Sequence, residues 1–464
     1  SAEVVNARQH FTDCLNQALA LAEAKATFNK EEVVLLKDVL FRITNFYLGY
    51  QIGNDKELQI AYSRLATLIL ASELSPYLAL EKEKSSTVKR SKIRLGLASQ
   101  YLLHHNGSYW AYGWLSNLPQ DDYEFFLYSL NGKTDATTEK FAALGTYRWL
   151  PFTQYSYLDS LEIIKQDNLD ILLLPDVGMT ASSRIISLTR LAPIQCVAFA
   201  HPITTGSDTM DYYLTSDLME TSEADSHYSE KLVRLPNIGF TFEYPPIPSE
   251  AASRSNFGIA DDRVLYGSVQ SLFKYLPQYD YVYAAIAKVV PEALFVFVES
   301  EGDFATEIFK RRLQASFAEA GLDFDHYVRI LPRMPLSEFL QLLSLLDVNI
   351  DTFGWNGGTT TLRSLAMDCP VVTLPGEFMR SRHSYSILKM LGADELITGS
   401  IDEYVALAAK IGTDKAFRSQ IVEKIRRDKH KVFNDFEPVG FLDNFFKSCW
   451  LKLKEKPVRV PARK

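Results

Sequence analysis

At 464 residues the chain is longer than one hydrophobic core supports, so two large domains and a smaller helical part are expected. Its 47% hydrophobic, 12% aromatic and 23% charged residues exclude a disordered or fibrous protein. A net charge of −8 argues against broad affinity for nucleic acid or anionic membranes, which need a surplus of Lys and Arg.

Residues 1–88 form the first predicted unit. No proline precedes Pro76, and Leu15, Leu19 and Leu21, then Val34, Leu35, Val39 and Leu40, recur at helical spacing, as in a helical cap or the end of a helical array. The charged stretch EKEKSSTVKRSK at 81–92 reads as a solvated linker. The opening SAEVVNARQH lacks the basic-then-apolar layout of a signal peptide. Apolar runs such as ILLLP (171–175) fall far short of the ~20 residues of a membrane helix. Cys14, Cys196, Cys369 and Cys449 are widely spaced without a CxxC pair, which predicts reduced thiols in a cytoplasmic protein and no disulfide. The start at Ser1 suggests a trimmed chain and leaves open what precedes it.

From 89 to 250 apolar strands alternate with helices: IRLGLA (93–98), FFLYSL (125–130), DILLLP (170–175) and QCVAFA (195–200). The Pro-rich EYPPIPSEAA (243–252) marks a boundary, and 251–464 repeats the alternation with VLYGSV (264–269), LFVFVE (294–299), YVRIL (327–331), VNIDTF (348–353) and VVTLP (371–375). The expected fold is therefore α/β, two Rossmann-like, doubly wound parallel sheets in tandem after an N-terminal helical segment. A last helical stretch near 415–455 is placed to pack back on the first sheet. Open parallel sheets bind ligands beyond the carboxyl ends of their strands, so the chemistry belongs in strand-to-helix loops facing one cleft.

The loop DTFGWNGGTTTLRSL, Asp351 to Leu365, ends a strand, passes Gly357 and Gly358 and opens a helix on threonines. Backbone amides and hydroxyls there suit a diphosphate, and an ordinary Gly-rich turn with a Thr cap reads equally from the same residues. Lys274, just after the strand ending near Val269, either reaches a phosphate or is a surface lysine. Arg380, Arg382 and His383 follow Leu374 and fit phosphate or acceptor contact, or a solvated basic helix start. His104 and His105 follow the first strand, where a histidine near its usual pKa accepts a hydroxyl proton or serves structure. The loop AHPITTGSD, Ala200 to Asp208, lets a sugar approach the backbone or is a plain turn. The acidic pairs at 121 and 261 sit in polar turns, so no metal site is expected, and no Walker loop, GxSxG, HExxH or zinc spacing is present.

In order along the chain, LAPIQCVAFAHPITTG, DYYLTSD, HYSEKLVRLPN, NGGTTTLRSLAMDCPVVTLPGE with SRHSYSIL, and LGADELI leading to SIDEY resemble the catalytic region of the O-GlcNAc transferase family. That family includes SPINDLY-type protein O-fucosyltransferases and bacterial members. The resemblance covers roughly 90–430, and FYLGYQIGNDKELQIAYSRL is similar to the helical segment that precedes the catalytic region in bacterial members, where tetratricopeptide repeats often lie upstream. It implies a GT-B fold, metal-independent inverting transfer and a UDP-sugar donor held mainly by the C-terminal domain. It also implies that Lys274 contacts the diphosphate, that Thr359 and Thr360 open the phosphate-binding helix, and that His105 lies on the acceptor side. Thr180 and Pro202, with His201, Thr204 and Thr205 around it, would lie near the sugar and acceptor. Gln270, Ser271, Met334, Asn356, Gly357, Gly358 and Arg363 complete the expected donor site.

Departures bear on the donor. Arg363 stands where O-GlcNAc transferases carry an aspartate that contacts the ribose, and Leu336, Phe339 and Leu342 replace polar residues near base and ribose. His201 replaces the aromatic residue before the matched proline.

The expected function is transfer of GlcNAc or another hexose from a UDP-sugar to a protein side chain, with no cofactor beyond the nucleotide-sugar co-substrate. The expected partners are that donor and a protein or peptide acceptor, with neither nucleic acid nor membrane, while homo-oligomerisation stays open. GDP-fucose-dependent O-fucosylation, N-glucosylation of asparagine and a noncatalytic scaffold with a degenerate donor cleft are the alternatives.

Overall fold

The computed structural model describes residues 2–42, 44–79, 90–248 and 252–455. The first sheet holds β1 (Ile93–Ser99), β2 (Tyr123–Ser129), β3 (Thr146–Trp149), β4 (Ile171–Leu174), β5 (Ile194–Ala198), β6 (Tyr212–Ser216) and β7 (Lys231–Leu235). The second holds β8 (Val264–Gly267), β9 (Ala293–Val298), β10 (Val328–Leu331), β11 (Val348–Ile350) and β12 (Val371–Val372). Their orders are β3-β2-β1-β4-β5-β6-β7 and β10-β9-β8-β11-β12, and the paired strands run parallel. Each sheet reverses its winding once, between β1 and β4 and between β8 and β11, which opens a crevice at the strands' carboxyl ends.

The second sheet shows why alternation builds such a layer. Leu265, Leu294 and Val296 pack with Leu340 and Leu343 on one face, while Tyr266, Phe295 and Phe297 pack with Phe309 and Phe317 on the other. Successive side chains on a strand point to opposite faces, so one apolar run serves both layers.

The sequence reading names four strands in the first half, and the sheet has three more. TYRW of β3 is a half-exposed edge without an apolar run. YYLTS and KLVRL, strands β6 and β7, are short and mix polar with apolar residues, so only the pairing of β6 with β5 and of β7 with β6 reveals them.

The helical N-terminus is built into both domains. The helix Lys56–Ile69 buries Leu58, Ala61, Tyr62, Leu65, Ala66 and Ile69, a face at helical spacing. Arg184, fully buried behind β4, donates to Gln59 Oε1 at 2.8 Å and to the Thr205 carbonyl at 2.7 Å. At Gly206, with φ +69°, an added Cβ would sit 2.2 Å from the Gln59 carbonyl carbon, so the loop after β5 touches this helix backbone to backbone. On the other side Asp55 pairs with Arg380 at 3.4 Å, and Arg380 donates to the Gly53 carbonyl at 2.6 Å. Of the predicted linker at 81–92, residues 81–89 lie outside the described residues, as do 249–251 of the Pro-rich segment.

The final helix Glu437–Glu455 follows the second sheet in sequence and lies on the first in space. Tyr123 donates to Asp443 at 2.8 Å, Lys447 pairs with Asp122 at 2.6 Å, and Phe445 meets Tyr212 edge to face. Among the described residues no helix is long and apolar enough to cross a membrane.

Candidate active site

The carboxyl ends of both sheets face a cleft of about 540 Å³. Its second-domain wall is made by the loop from β11 to the helix Thr359–Ala366. Asp351 organises that loop: Oδ1 accepts the N–H groups of Thr352 at 2.9 Å and Gly357 at 2.8 Å, and Oδ2 accepts the Thr373 hydroxyl at 2.8 Å. Burial pushes the Asp351 carboxyl up to about 6, against the pull of these donors and of Lys274. Gly358 precedes the helix without a side-chain cap, so the first amides of the helix point unclaimed at the cleft beside Thr359 and Thr360.

Lys274 lies on the short 3-10 helix Leu272–Lys274 after β8 and lines the same wall. Its ammonium donates to Gln270 Oε1 at 2.9 Å and sits 6.0 Å from the centre of the Trp355 ring. Burial pushes its pKa down to about 8, with Asp351 pulling the other way. No Asp or Glu lines the cleft among the described residues, whereas Lys274, Arg333 and Arg363 do. In a chain of net charge −8 this is a locally cationic site.

On the facing wall His105 caps the helix Asn106–Asn117, its Nδ1 accepting the Gly107 N–H at 3.1 Å. The ring stacks on Tyr101 at 4.0 Å, and burial with the neighbouring His104 pushes its pKa down to about 4. A neutral imidazole whose Nδ1 is an acceptor carries its proton on Nε2. His105 therefore presents an N–H donor and not a free base nitrogen. Beside it the Tyr109 hydroxyl meets His104 Nδ1 at 3.0 Å, and Arg363 reaches across from the second domain to within 5.8 Å of the Tyr109 ring centre.

Of the residues singled out in the sequence, His105, Pro202, Gln270, Ser271, Lys274, Met334, Asn356, Gly358, Thr359, Thr360 and Arg363 line this one cleft. Others do not. Thr180 caps the helix Ala181–Ser187. Thr204 and Thr205 bind the buried Glu230, at 2.6 Å from the Thr204 hydroxyl and 2.8 Å from the Thr205 amide, and so face into the first domain. His201 is buried beneath Phe46, stacked at 5.1 Å, and burial pushes its pKa down to about 3. Gly357 is spent on the loop, since a Cβ there would lie 2.4 Å from Gln270 Nε2 and 2.7 Å from Thr361 Oγ1. Leu336 and Phe339 line the cleft, but Leu342 lies in the core behind it. Arg380 is neither solvated nor in the cleft, and Arg382 donates to the Met219 carbonyl at 3.1 Å.

Gly357→Ala is expected to destabilise the chain by about 1–3 kcal/mol through overpacking. It should also weaken nucleotide binding by displacing Gln270, and paired denaturation and binding titrations check both.

The cleft also contains residues the sequence did not point to: Phe46, Tyr50, Phe273, Trp355, Met179 and Arg333. Tyr50 stacks on Trp355 at 3.8 Å and 12°, and Phe273 meets Tyr50 edge to face at 4.8 Å. The turn Asn45–Tyr50 thus closes one end of the cleft with aromatic rings. Its i, i+4 pair of aromatic residues looks in sequence like any helix face.

Two parallel sheets facing one cationic cleft, with an uncapped helix N-terminus opposite a histidine wall, form a two-domain protein of GT-B architecture. The chain belongs to glycosyl transferase family 41, whose model matches residues 50–244 and 243–436. It is similar to the probable UDP-N-acetylglucosamine–peptide N-acetylglucosaminyltransferase SPINDLY of tomato, 28% identical over 79% of this chain and 39% of that one. The rice protein of the same name is 30% identical over 69% of this chain and 34% of its own. The chain thus spans well under half the length of these plant relatives. Among solved structures, a mutant O-GlcNAc transferase of Thermobaculum terrenum matches with a TM-score of 0.74 at 24% identity, covering 88% of this chain and 76% of that one. Anabaena HepE in complex with UDP and glucose matches with a TM-score of 0.53 at 12% identity, over 78% of this chain and all of its own. Both structural likenesses concern the fold.

Proposed function

We propose that this glycosyltransferase moves a sugar, GlcNAc or another hexose, from a UDP-sugar to a protein side chain, without a metal ion. The observation that carries this reading is Lys274, a largely buried ammonium with a neutral amide for a partner, facing the uncapped helix Thr359–Ala366 in a cleft free of carboxylates. A buried ammonium whose one hydrogen bond goes to a neutral amide has room for a further anion, and a diphosphate satisfies the lysine and the helix amides together. As the bond from the anomeric carbon to the diphosphate breaks, its electron pair leaves with the phosphate, and charge grows where Lys274 and the helix dipole stand. In many transferases a metal carries that charge; here fixed protein cations supply it, and among the described residues no carboxylate lines the cleft to hold a metal. His105, donating from Nε2, orients the acceptor group as it attacks the same carbon, and the acceptor's proton passes to an oxygen of the departing diphosphate. The SPINDLY relatives are named for UDP-N-acetylglucosamine and peptide, which supports a nucleotide-sugar donor and a polypeptide acceptor.

A GDP-sugar donor is the second reading, favoured by Arg363. A guanidinium that touches a tyrosine ring and has cleft in front of it fits the paired O6 and N7 acceptors of guanine. Comparing UDP and GDP affinities decides between the two.

The lysine also fixes a pH dependence. Below about 8 Lys274 is already charged, so binding a diphosphate needs no proton. Above that value binding must draw a proton onto Lys274, so affinity falls by up to about tenfold per pH unit. Calorimetry between pH 7 and 10 is expected to show this decline in the wild type, and an affinity that stays flat across that range would contradict it.

A further inference from the structure

After β12 the chain delivers Arg380, Arg382 and His383 in close succession. Arg380 is consumed by Asp55 and the Gly53 carbonyl, and Arg382 by the Met219 carbonyl. His383 is left on the cleft, beside Gly358, Thr359, Thr360 and Lys274.

His383 opens the helix His383–Leu391, and that helix is locked to the phosphate-side helix. Ser384 Oγ donates to the Gly357 carbonyl at 2.9 Å and shares a 2.7 Å hydrogen bond with Thr361 Oγ1, so the His383 backbone cannot drift from the Thr359 amides. Its Nδ1 lies so near Gly358 that a Cβ added there would sit 3.2 Å away, while Nε2 is buried without a hydrogen-bond partner. Burial and the Lys274 charge push its pKa down to about 3, so the ring is neutral, with one N–H and one acceptor nitrogen. A buried N–H is left unpaired less readily than a buried acceptor, which places the proton on Nδ1, on the side of the helix N-terminus.

We propose that His383 is a further diphosphate-binding residue, its Nδ1–H donating to a phosphate oxygen held at the Thr359 and Thr360 amides with Lys274. This rests on the donor-site reading above. Gly358 then has a purpose beyond the turn: any side chain there would press on the ring that reaches the phosphate.

The test uses UDP and GDP as probes in metal-free titrations of the wild type, His383→Leu and His383→Asn. Leucine fills the space without a hydrogen bond, and asparagine returns an N–H near the Nδ1 position. His383→Leu is expected to weaken binding of the nucleotide the wild type takes by about tenfold or more, the scale of a hydrogen bond to a charged group. His383→Asn should recover most of that affinity, a rescue that a purely structural histidine would not show. Leucine binding as tightly as histidine, or asparagine as weakly as leucine with both folded by thermal unfolding, would overturn the role of His383 while leaving the donor site standing. A wild type that binds neither nucleotide would overturn both. Should His383→Leu fail to fold, His383→Gln, whose N–H reaches the Nε2 position, replaces it: weak binding by Gln beside near-normal binding by Asn supports the assignment, and equal affinities contradict it.

Discussion

Replacing Lys274 with alanine is expected to lower turnover by about 10³-fold, the scale of deleting one fixed electrostatic group that meets developing charge. The side chain contributes more to the departing diphosphate than to the fold, because its ammonium has a single amide partner and no ion pair in the described cleft. Removing a partly desolvated charge does not open the core, so thermal unfolding should move little or upward. Steady-state transfer with the preferred donor, beside a melting curve, checks both halves. Turnover within about tenfold of wild type would mean that Lys274 is not at the diphosphate.

The second large effect lies far from the chemistry. Asp55→Ala is expected to destabilise the chain by about 3–5 kcal/mol, the cost of breaking a buried ion pair and leaving its cation behind. Asp55 is 1% exposed in its side chain and holds Arg8 at 2.7 Å and Arg380 at 3.4 Å, where Arg380 is itself 5% exposed. Without the carboxylate, Arg380 keeps the Gly53 carbonyl and the face of the Phe378 ring but loses its buried anion. The damage should reach the donor site, because the Arg380 carbonyl accepts the Asn356 amide at 2.8 Å and Asn356 lines the cleft. Chemical denaturation should show the loss of stability, and nucleotide titration of the folded fraction a weaker site. An unchanged denaturation midpoint would show that the N-terminal helices are not a working part of the catalytic body.

That coupling explains where the sequence was legible and where it was not. Lys274 was readable because it follows β8, and Thr359 and Thr360 because they open the helix after β11; parallel sheets put such strand-to-helix junctions at one edge. Phe46 and Tyr50 were not, since what brings them to Trp355 is a contact across some three hundred residues of chain, and in sequence they are two aromatic residues on a helical period. Thr204 and Thr205 misled for the opposite reason. Their loop has the polar, Gly-containing character of a ligand loop, but Glu230, which satisfies them, enters from the turn before β7. Arg380 had the same ambiguity, with its partner Asp55 far away in the helical segment. Local chemistry announces a site, and long-range pairing decides which polar residues it actually contains.

The measurement closest to the central claim is calorimetric titration of UDP and GDP, in chelator and without added metal, against the wild type and Lys274→Ala. The account predicts that one nucleotide binds the wild type saturably and that Lys274→Ala loses this binding while remaining folded. Binding that requires a divalent ion, or that survives unchanged in Lys274→Ala, would contradict it.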